Sequence, residues 1–391
     1  MCRPDKTFFW QFIPREFEHL TKVKTIEYKE YKLKTDYIIN IMHELILRYL
    51  TTNEESHNLW SSILRRKYGK TYNIYIEYLT YIKFMKLTSN YYAGRKSKTY
   101  KLNITTFDIT RHKITDNILL KKHSKDYLYR TFTSQQESPI DFNLRKKLID
   151  DLYHVAIDYE KSLDWLNNKK ANKDLDLNKY FKNLISIDGI NTGHIFFKFD
   201  GYGRLHTNFT VLKKYLRNNY LTIDGEDIKE TDISNSQPFF FAVYLKNELS
   251  EKNFNDEVKK YVECVKNGLI YDQILQAYPD KIQNRNDAKT LMYKVLFGHN
   301  KYRESDKMFQ KLYPSIYSYI KEYKDMSDSY KELSHELQLL ESDFIFGKVV
   351  TEIKMKFPEI KLFTIHDSIC YPVKYKEEVE IIFRKHLKNL L

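Results

Sequence analysis

Two short runs each carry an aspartate that would stand exposed on a rigid support. In "EDIKETDISNSQPFFFAVYL" the β-prone residues predict a strand ending at Asp232, then a turn, then a helix with Pro238 at its first position. In "KLFTIHDSICYPV" the apolar residues on either side of His366 and Asp367 predict a β-hairpin with that pair at its tip. One aspartate in a turn is ordinary. Two brought together can share a pair of Mg²⁺ ions about 3.5–4 Å apart, one activating an attacking hydroxyl and the other stabilising a leaving oxygen.

A third run, "RNDAKTLMYKVLFG", steps by four through Arg285, Lys289, Tyr293 and Phe297, with Gly298 directly after. On an α-helix each such step drifts by only about 40°, so the four share one broad face, basic at its start and aromatic at its end. Basic residues flanking a core stripe would look similar, because long side chains snorkel outwards. Set beside the two aspartates, the face has a chemical use. Arg285 and Lys289 suit a polyphosphate. Tyr293 and Phe297 offer a flat apolar surface to a base, and Gly298 leaves room beside it. Together these runs spell nucleotidyl transfer. No GxxxxGK[ST] phosphate loop is present, which argues against a P-loop enzyme.

The elements that must position these groups are mostly helical, since only 10 glycines and 8 prolines interrupt 391 residues. Lys and Arg number 65 against 52 Asp and Glu, a surplus that points to an anionic partner, nucleic acid before membrane. The 33 tyrosines fit base stacking, and equally the codon bias of an AT-rich gene. Cys2, Cys264 and Cys370 are too scattered for a disulfide framework or a zinc cluster. With no apolar leader and no membrane-length run, a reduced, unsecreted cytoplasmic protein is expected.

Residues 1–104 are expected to form a winged-helix-like nucleic-acid-binding region. "YIINIMHELILRYL", "SHNLWSSILRRKYG" and "KTYNIYIEYLTYIKFM" predict three helices, with Ser56 and Thr71 as caps and Gly69 as a stop. "KLTSNYYAGRKSKTYKLNI" then predicts a hairpin whose Arg95, Lys96 and Lys98 would lie along a phosphate backbone, with Lys70 and Lys83 contributing from the helices. Eleven Lys or Arg face two Asp between Lys83 and Lys125. A wing used only for protein packing is the alternative. Residues 105–189 predict a helical, thumb-like connector. Past residue 190 the texture changes to short β-prone runs alternating with helices.

Over about residues 190–391 the order of the runs resembles motifs A, B and C of the family A DNA polymerases and the single-subunit phage-type RNA polymerases. Motif A matches "DISNSQPF" with Asp232, and motif C matches "TIHDSI" with His366 and Asp367. Motif B matches "RNDAKTLMYKVLFG", except that Phe297 stands where the family has tyrosine. "FDGYGRLHT" resembles the segment whose Gly-Arg contacts template or growing duplex, which nominates Arg204 with His206 beside it. "LQLLESDFIFGKVV" sits where the family lines template and primer, nominating Gln338 and Glu341.

The resemblance implies an α+β fold: a right-hand polymerase palm with compact helical fingers, since only 135 positions separate Asp232 from Asp367. It implies two Mg²⁺ ions on that pair, with Mn²⁺ as a substitute, and nucleoside triphosphates with a primer-template as partners, DNA favoured. No exonuclease pattern precedes the motifs, so proofreading is not expected. Gln237, fifth after the motif A aspartate, is bulky as in the DNA polymerases, and Phe297 lacks the hydroxyl that favours ribose. Ser368, where DNA polymerases usually carry Glu, points the other way. DNA synthesis is the expectation, RNA polymerase or primase the alternative, and a catalytically silent binding protein the third reading. So small an enzyme suits a phage, plasmid or mobile element in a bacterial or phage-infected cell.

Overall fold

Little in the sequence interrupts a helix, and helices make up most of the chain. The computed structural model describes residues 8–52, 56–90, 98–103, 108–122, 140–250 and 253–391, a mixed α/β protein with short strands. The wing-tip residues Arg95 and Lys96 lie outside the described residues. None of the described helices is long and apolar enough to cross a membrane.

The chain forms two compact units that do not simply follow one another. One comprises Met1–Thr133, Ile157–Phe196 and Val211–Tyr220; the other comprises Ser134–Ala156, Phe197–Thr210 and Leu221–Leu391. The sequence suggests a boundary near residue 190 and one helical stretch before it. Instead, Phe142–Leu152 and Tyr159–Ala171 are helices separated by the strand Val155–Ile157, which joins the sheet of the second unit. Its buried–exposed–buried pattern is a period of two, too short to register against the helices around it.

In the first unit the helix Thr35–Thr52 is followed by the strand Ser56–Asn58, the helices Ser61–Tyr68 and Tyr72–Tyr81, and the strands Met85–Ser89 and Thr99–Leu102. The three strands pair in the order 56–58, 99–102, 85–89. Gly69 ends its helix at φ 83°, a conformation that suits glycine. Ser56, expected as a cap, lies in a strand instead, and Thr71 makes no side-chain cap bond. Ile38, Ile39, Met42, Ile46, Leu79 and Phe84 are fully buried beneath these elements. A strand from the start of the chain, Phe9–Pro14, pairs with Ile109–Ile114 across about a hundred residues. Helices Tyr159–Ala171 and Leu177–Asn191 pack together nearby, where Arg111 Nη1 donates to Asp188 Oδ1 at 2.7 Å.

The second unit is built on a five-stranded sheet in the order Phe363–Ile365, Ser368–Pro372, Glu226–Thr231, Leu221–Ile223, Val155–Ile157. The helix Ser236–Glu248 is buried from Ser236 through Leu245, as its "PFFFAVYL" run, apolar on every side, requires. It begins two residues earlier than the sequence suggests. Pro238 therefore sits inside the first turn, where a missing N–H is still harmless.

Candidate active site

Strand pairing brings the two aspartates together. Glu226–Thr231 runs antiparallel to Ser368–Pro372 with Thr231 opposite Ile369, so Asp232 leaves the sheet beside the hairpin turn. Ile365 pairs with Ser368, leaving His366 and Asp367 as the two-residue turn, with His366 at φ 53°. That left-handed conformation costs a non-glycine residue about 1 kcal/mol, and the pairing on both sides of the turn holds it. Asp232 is exposed and Asp367 half-buried. Burial pushes the Asp367 carboxyl above its usual range, and the Asp232 charge pushes it further, while the Ser236 hydroxyl and the Arg204 charge pull it down. Two carboxylates thus crowd one end of the sheet, short of positive charge. Ser368 fixes the turn from below, its hydroxyl 3.0 Å from both Glu230 Oε1 and the Ile365 carbonyl.

Behind the pair lies a buried hydrogen-bond network. Glu341 is 2% exposed, and Arg204 donates to its Oε1 through Nε (2.9 Å) and Nη2 (2.6 Å). Its other oxygen accepts from the Ser236 hydroxyl at 3.1 Å and from Gln237 Nε2. A buried carboxylate is tolerated only when paired in this way. Burial and the Asp367 charge raise its pKa, against the pull of Arg204. Glu341 therefore sits beneath the site as the group that orients Arg204, not on a nucleic-acid surface as the sequence suggests. Gln338, on the same helix, is half-buried. Arg204 is also placed by its backbone N–H, which donates to Asp200 Oδ1 at 2.8 Å. His206 bonds the other oxygen of Asp200 at 2.8 Å, and its ring meets that of His366 edge-on at 5.9 Å.

The basic and aromatic residues lie on the helix Arg285–Phe297, whose buried face is Ala288, Leu291, Met292, Val295 and Leu296. Arg285, Lys289 and Tyr293 are exposed and Phe297 is half-buried, so their face is not core. Asn284 caps the helix, its side chain accepting from the N–H groups of Asn286 and Asp287. Tyr293 stands within electrostatic reach of Asp367, Glu341 and Arg204; burial first, then the two carboxylates, raises its hydroxyl pKa. Lys289 Nζ lies 5.4 Å from the Tyr293 ring and has no carboxylate partner among the described residues. Arg285 is tethered, donating to the Gly268 carbonyl at 2.8 Å and lying 3.7 Å from Asp272. Gly298 does not leave space for a ligand. A Cβ there would collide with the Lys294 carbonyl and the Arg303 guanidinium, which already fills the gap.

The fold thus sets Asp232, Asp367, Arg204, Gln237 and Tyr293 around one end of the sheet, with Lys289 one turn before Tyr293 on its helix. Ser236 and Tyr271 belong with them and were not singled out from the sequence. Ser236 lies inside the small polar run after Asp232, which is a signal of a kind. Tyr271 is 6% exposed under the Arg285 guanidinium and feels the Tyr293 and Asp367 charges, a contact with no local sequence trace. No protein-family model matches the chain, and no curated protein matches it.

Proposed function

We propose that the second unit is a template-directed nucleotidyltransferase, a small polymerase palm with short helical fingers, and that it makes DNA. One observation carries the reading: two aspartates 135 positions apart meet at the end of one sheet, and Tyr293, from the exposed face of the 285–297 helix, shares the electrostatic environment of Asp367.

The donor set suits Mg²⁺, or Mn²⁺ in its place. Both are hard cations, and Mg²⁺ is commonly held by one or two carboxylates completed by water and substrate phosphates. Among the described residues no group of three or more His, Cys, Asp or Glu is placed to hold a metal ion, so the proposed ions would rest on the carboxylate pair, water and phosphate oxygens. Asp232 and Asp367 would hold the ions, and their mutual repulsion is what a bound cation would relieve. When bound, the ions supply activation of the attacking hydroxyl and neutralisation of the leaving oxygen. Lys289, with no acidic partner among the described residues, would meet the triphosphate, with Arg285 on the turn before it. The Tyr293 ring offers the base a stacking surface. Arg204, held by Glu341, lies within electrostatic reach of Asp367.

Gln237 supports deoxynucleotides as substrate. It is 6% exposed and its amide nitrogen is held by Glu341, so it cannot swing aside for a ribose 2′-hydroxyl. Its amide oxygen is buried and has no hydrogen-bond partner among the described residues. The first unit, read as a winged helix, would grip nucleic acid. Extension of a labelled primer-template with deoxynucleotides or ribonucleotides, beside the same mixtures without primer, tests the whole reading. Incorporation of deoxynucleotides on primed template is expected, and Gln237→Gly should raise ribonucleotide use roughly tenfold relative to it. No incorporation under any arm would remove the assignment.

A further inference from the structure

Lys324, on the helix Pro314–Met326, is 7% exposed and has no ion-pair partner among the described residues. A buried ammonium without a paired carboxylate is costly. Burial lowers its pKa to about 8, with the Asp306 charge pulling it back up and the Arg303 charge lowering it further. It is therefore still charged at neutral pH. An apolar side chain at this position would pack without that desolvation. What explains the lysine is what its ammonium touches: it donates to the Val295 carbonyl at 2.6 Å and to the Gly298 carbonyl at 2.9 Å.

Both carbonyls lie at the C-terminal end of the helix Arg285–Phe297. The last four carbonyls of a helix have no partner within it, and many helices satisfy some of them through a left-handed glycine just past the end. Gly298 has that place but not that conformation. At φ −77° and ψ 162° it is extended, and its N–H donates to the Lys294 carbonyl at 3.0 Å. Lys324 supplies a donor from another helix, and its charge meets the negative end of the helix dipole. A second cation holds the chain that follows. Arg303 Nη2 donates to the His299 carbonyl at 2.6 Å, and the Arg303 backbone N–H donates to Asp306 Oδ2 at 3.0 Å. Val295 stands two residues after Tyr293 and six after Lys289, about 9 Å along the helix axis. Over less than two turns a helix moves as one piece, so whatever sets its last turn also sets where those two side chains point.

We propose that Lys324 is a positioning residue for nucleotide binding. It fixes the 285–297 helix from its C-terminal end and so sets how Lys289 and Tyr293 meet an incoming triphosphate, without touching it. The proposal rests on the reading of this helix as the nucleotide-binding one.

The test is primer extension by the full chain with the deoxynucleotide concentration varied, for the parent, K324M and K324Q. K324M is expected to raise the KM for the triphosphate roughly tenfold, with kcat and primer-template affinity within about twofold of the parent. Its melting temperature should stay within a few degrees, because two hydrogen bonds and a buried charge go together. K324Q, which keeps a neutral donor, should fall between the two, and it decides the question if K324M does not fold. Hydrogen exchange should quicken in K324M across residues 290–300 and not in the 236–248 helix. An unchanged KM in an active parent's variants overturns the proposal. So does a joint fall of kcat, template affinity and melting temperature, which would make Lys324 a support of the fold alone. A parent that incorporates no nucleotide instead removes the reading of the site itself.

Discussion

The two units divide the charge of the chain unequally. The first carries 34 Lys or Arg against 19 Asp or Glu, and the second 31 against 33. The basic surplus that composition reports therefore belongs to one unit alone, and the candidate active site sits in a unit close to neutral. Net charge speaks of where a polyanion is held, through counterion release. It says nothing of where chemistry is done. The chemistry proposed for the second unit would depend on a few cations set against a few carboxylates, where burial and distance decide what each is worth.

This contrast can be broken most sharply at the aspartates. Asp232→Asn or Asp367→Asn should lower nucleotide incorporation by about a thousandfold or more while duplex affinity stays within about twofold. A variant that incorporates at the parent rate would take catalysis away from the second unit. Next in size is Lys289→Ala, expected to lower kcat/KM for the triphosphate about a hundredfold with template affinity untouched. Steady-state kinetics varying each substrate in turn would separate the two. On the other side of the contrast, neutralising Arg95, Lys96 and Lys98 together should weaken duplex binding roughly tenfold and flatten its salt dependence. Turnover at saturating template should not change; a fall in turnover would mean that the units do not divide the labour as their charges do.

The smallest effect concerns stability. The Asp367 carboxyl is held above its unfolded value by burial and by Asp232. Its ionised form therefore weighs against the fold at neutral pH, and the burden lifts as pH falls through the raised pKa. Asp367→Asn should melt roughly 2 °C higher than the parent at neutral pH without divalent metal. The gap should close on acidification, and also when Mg²⁺ is added to the parent. A variant that melts lower would show that the carboxylate is supporting the turn.

What was legible in the sequence was what is local. The strand before Asp232, the hairpin at His366–Asp367 and the amphipathic 285–297 helix follow from patterns of ten residues or so, and all three are found. The three helices and hairpin of the first unit were legible on the same grounds. Pairings between distant segments left no trace: Phe9–Pro14 with Ile109–Ile114, or Glu341 with Arg204 and Gln237. Glu341 looked like a polar residue on a helix surface, and nothing nearby in sequence says that a guanidinium will meet it in the interior. Gly298 misled for a related reason. A glycine signals close approach, but the approaching group, Arg303, is a matter of tertiary packing.

The alternation of the chain between its two units, five crossings in all, bears on how such a protein could have arisen. A gene assembled by joining two ready-made domains would keep each in one stretch. Here any single recombination breakpoint between residues 134 and 220 would deliver one unit with pieces missing and fragments of the other attached. A crossover at residue 190, where composition changes, would strip the second unit of its Val155–Ile157 edge strand and the first of its 211–220 segment. The two units are thus inherited as one piece, and neither can be exchanged for another's by a simple shuffle.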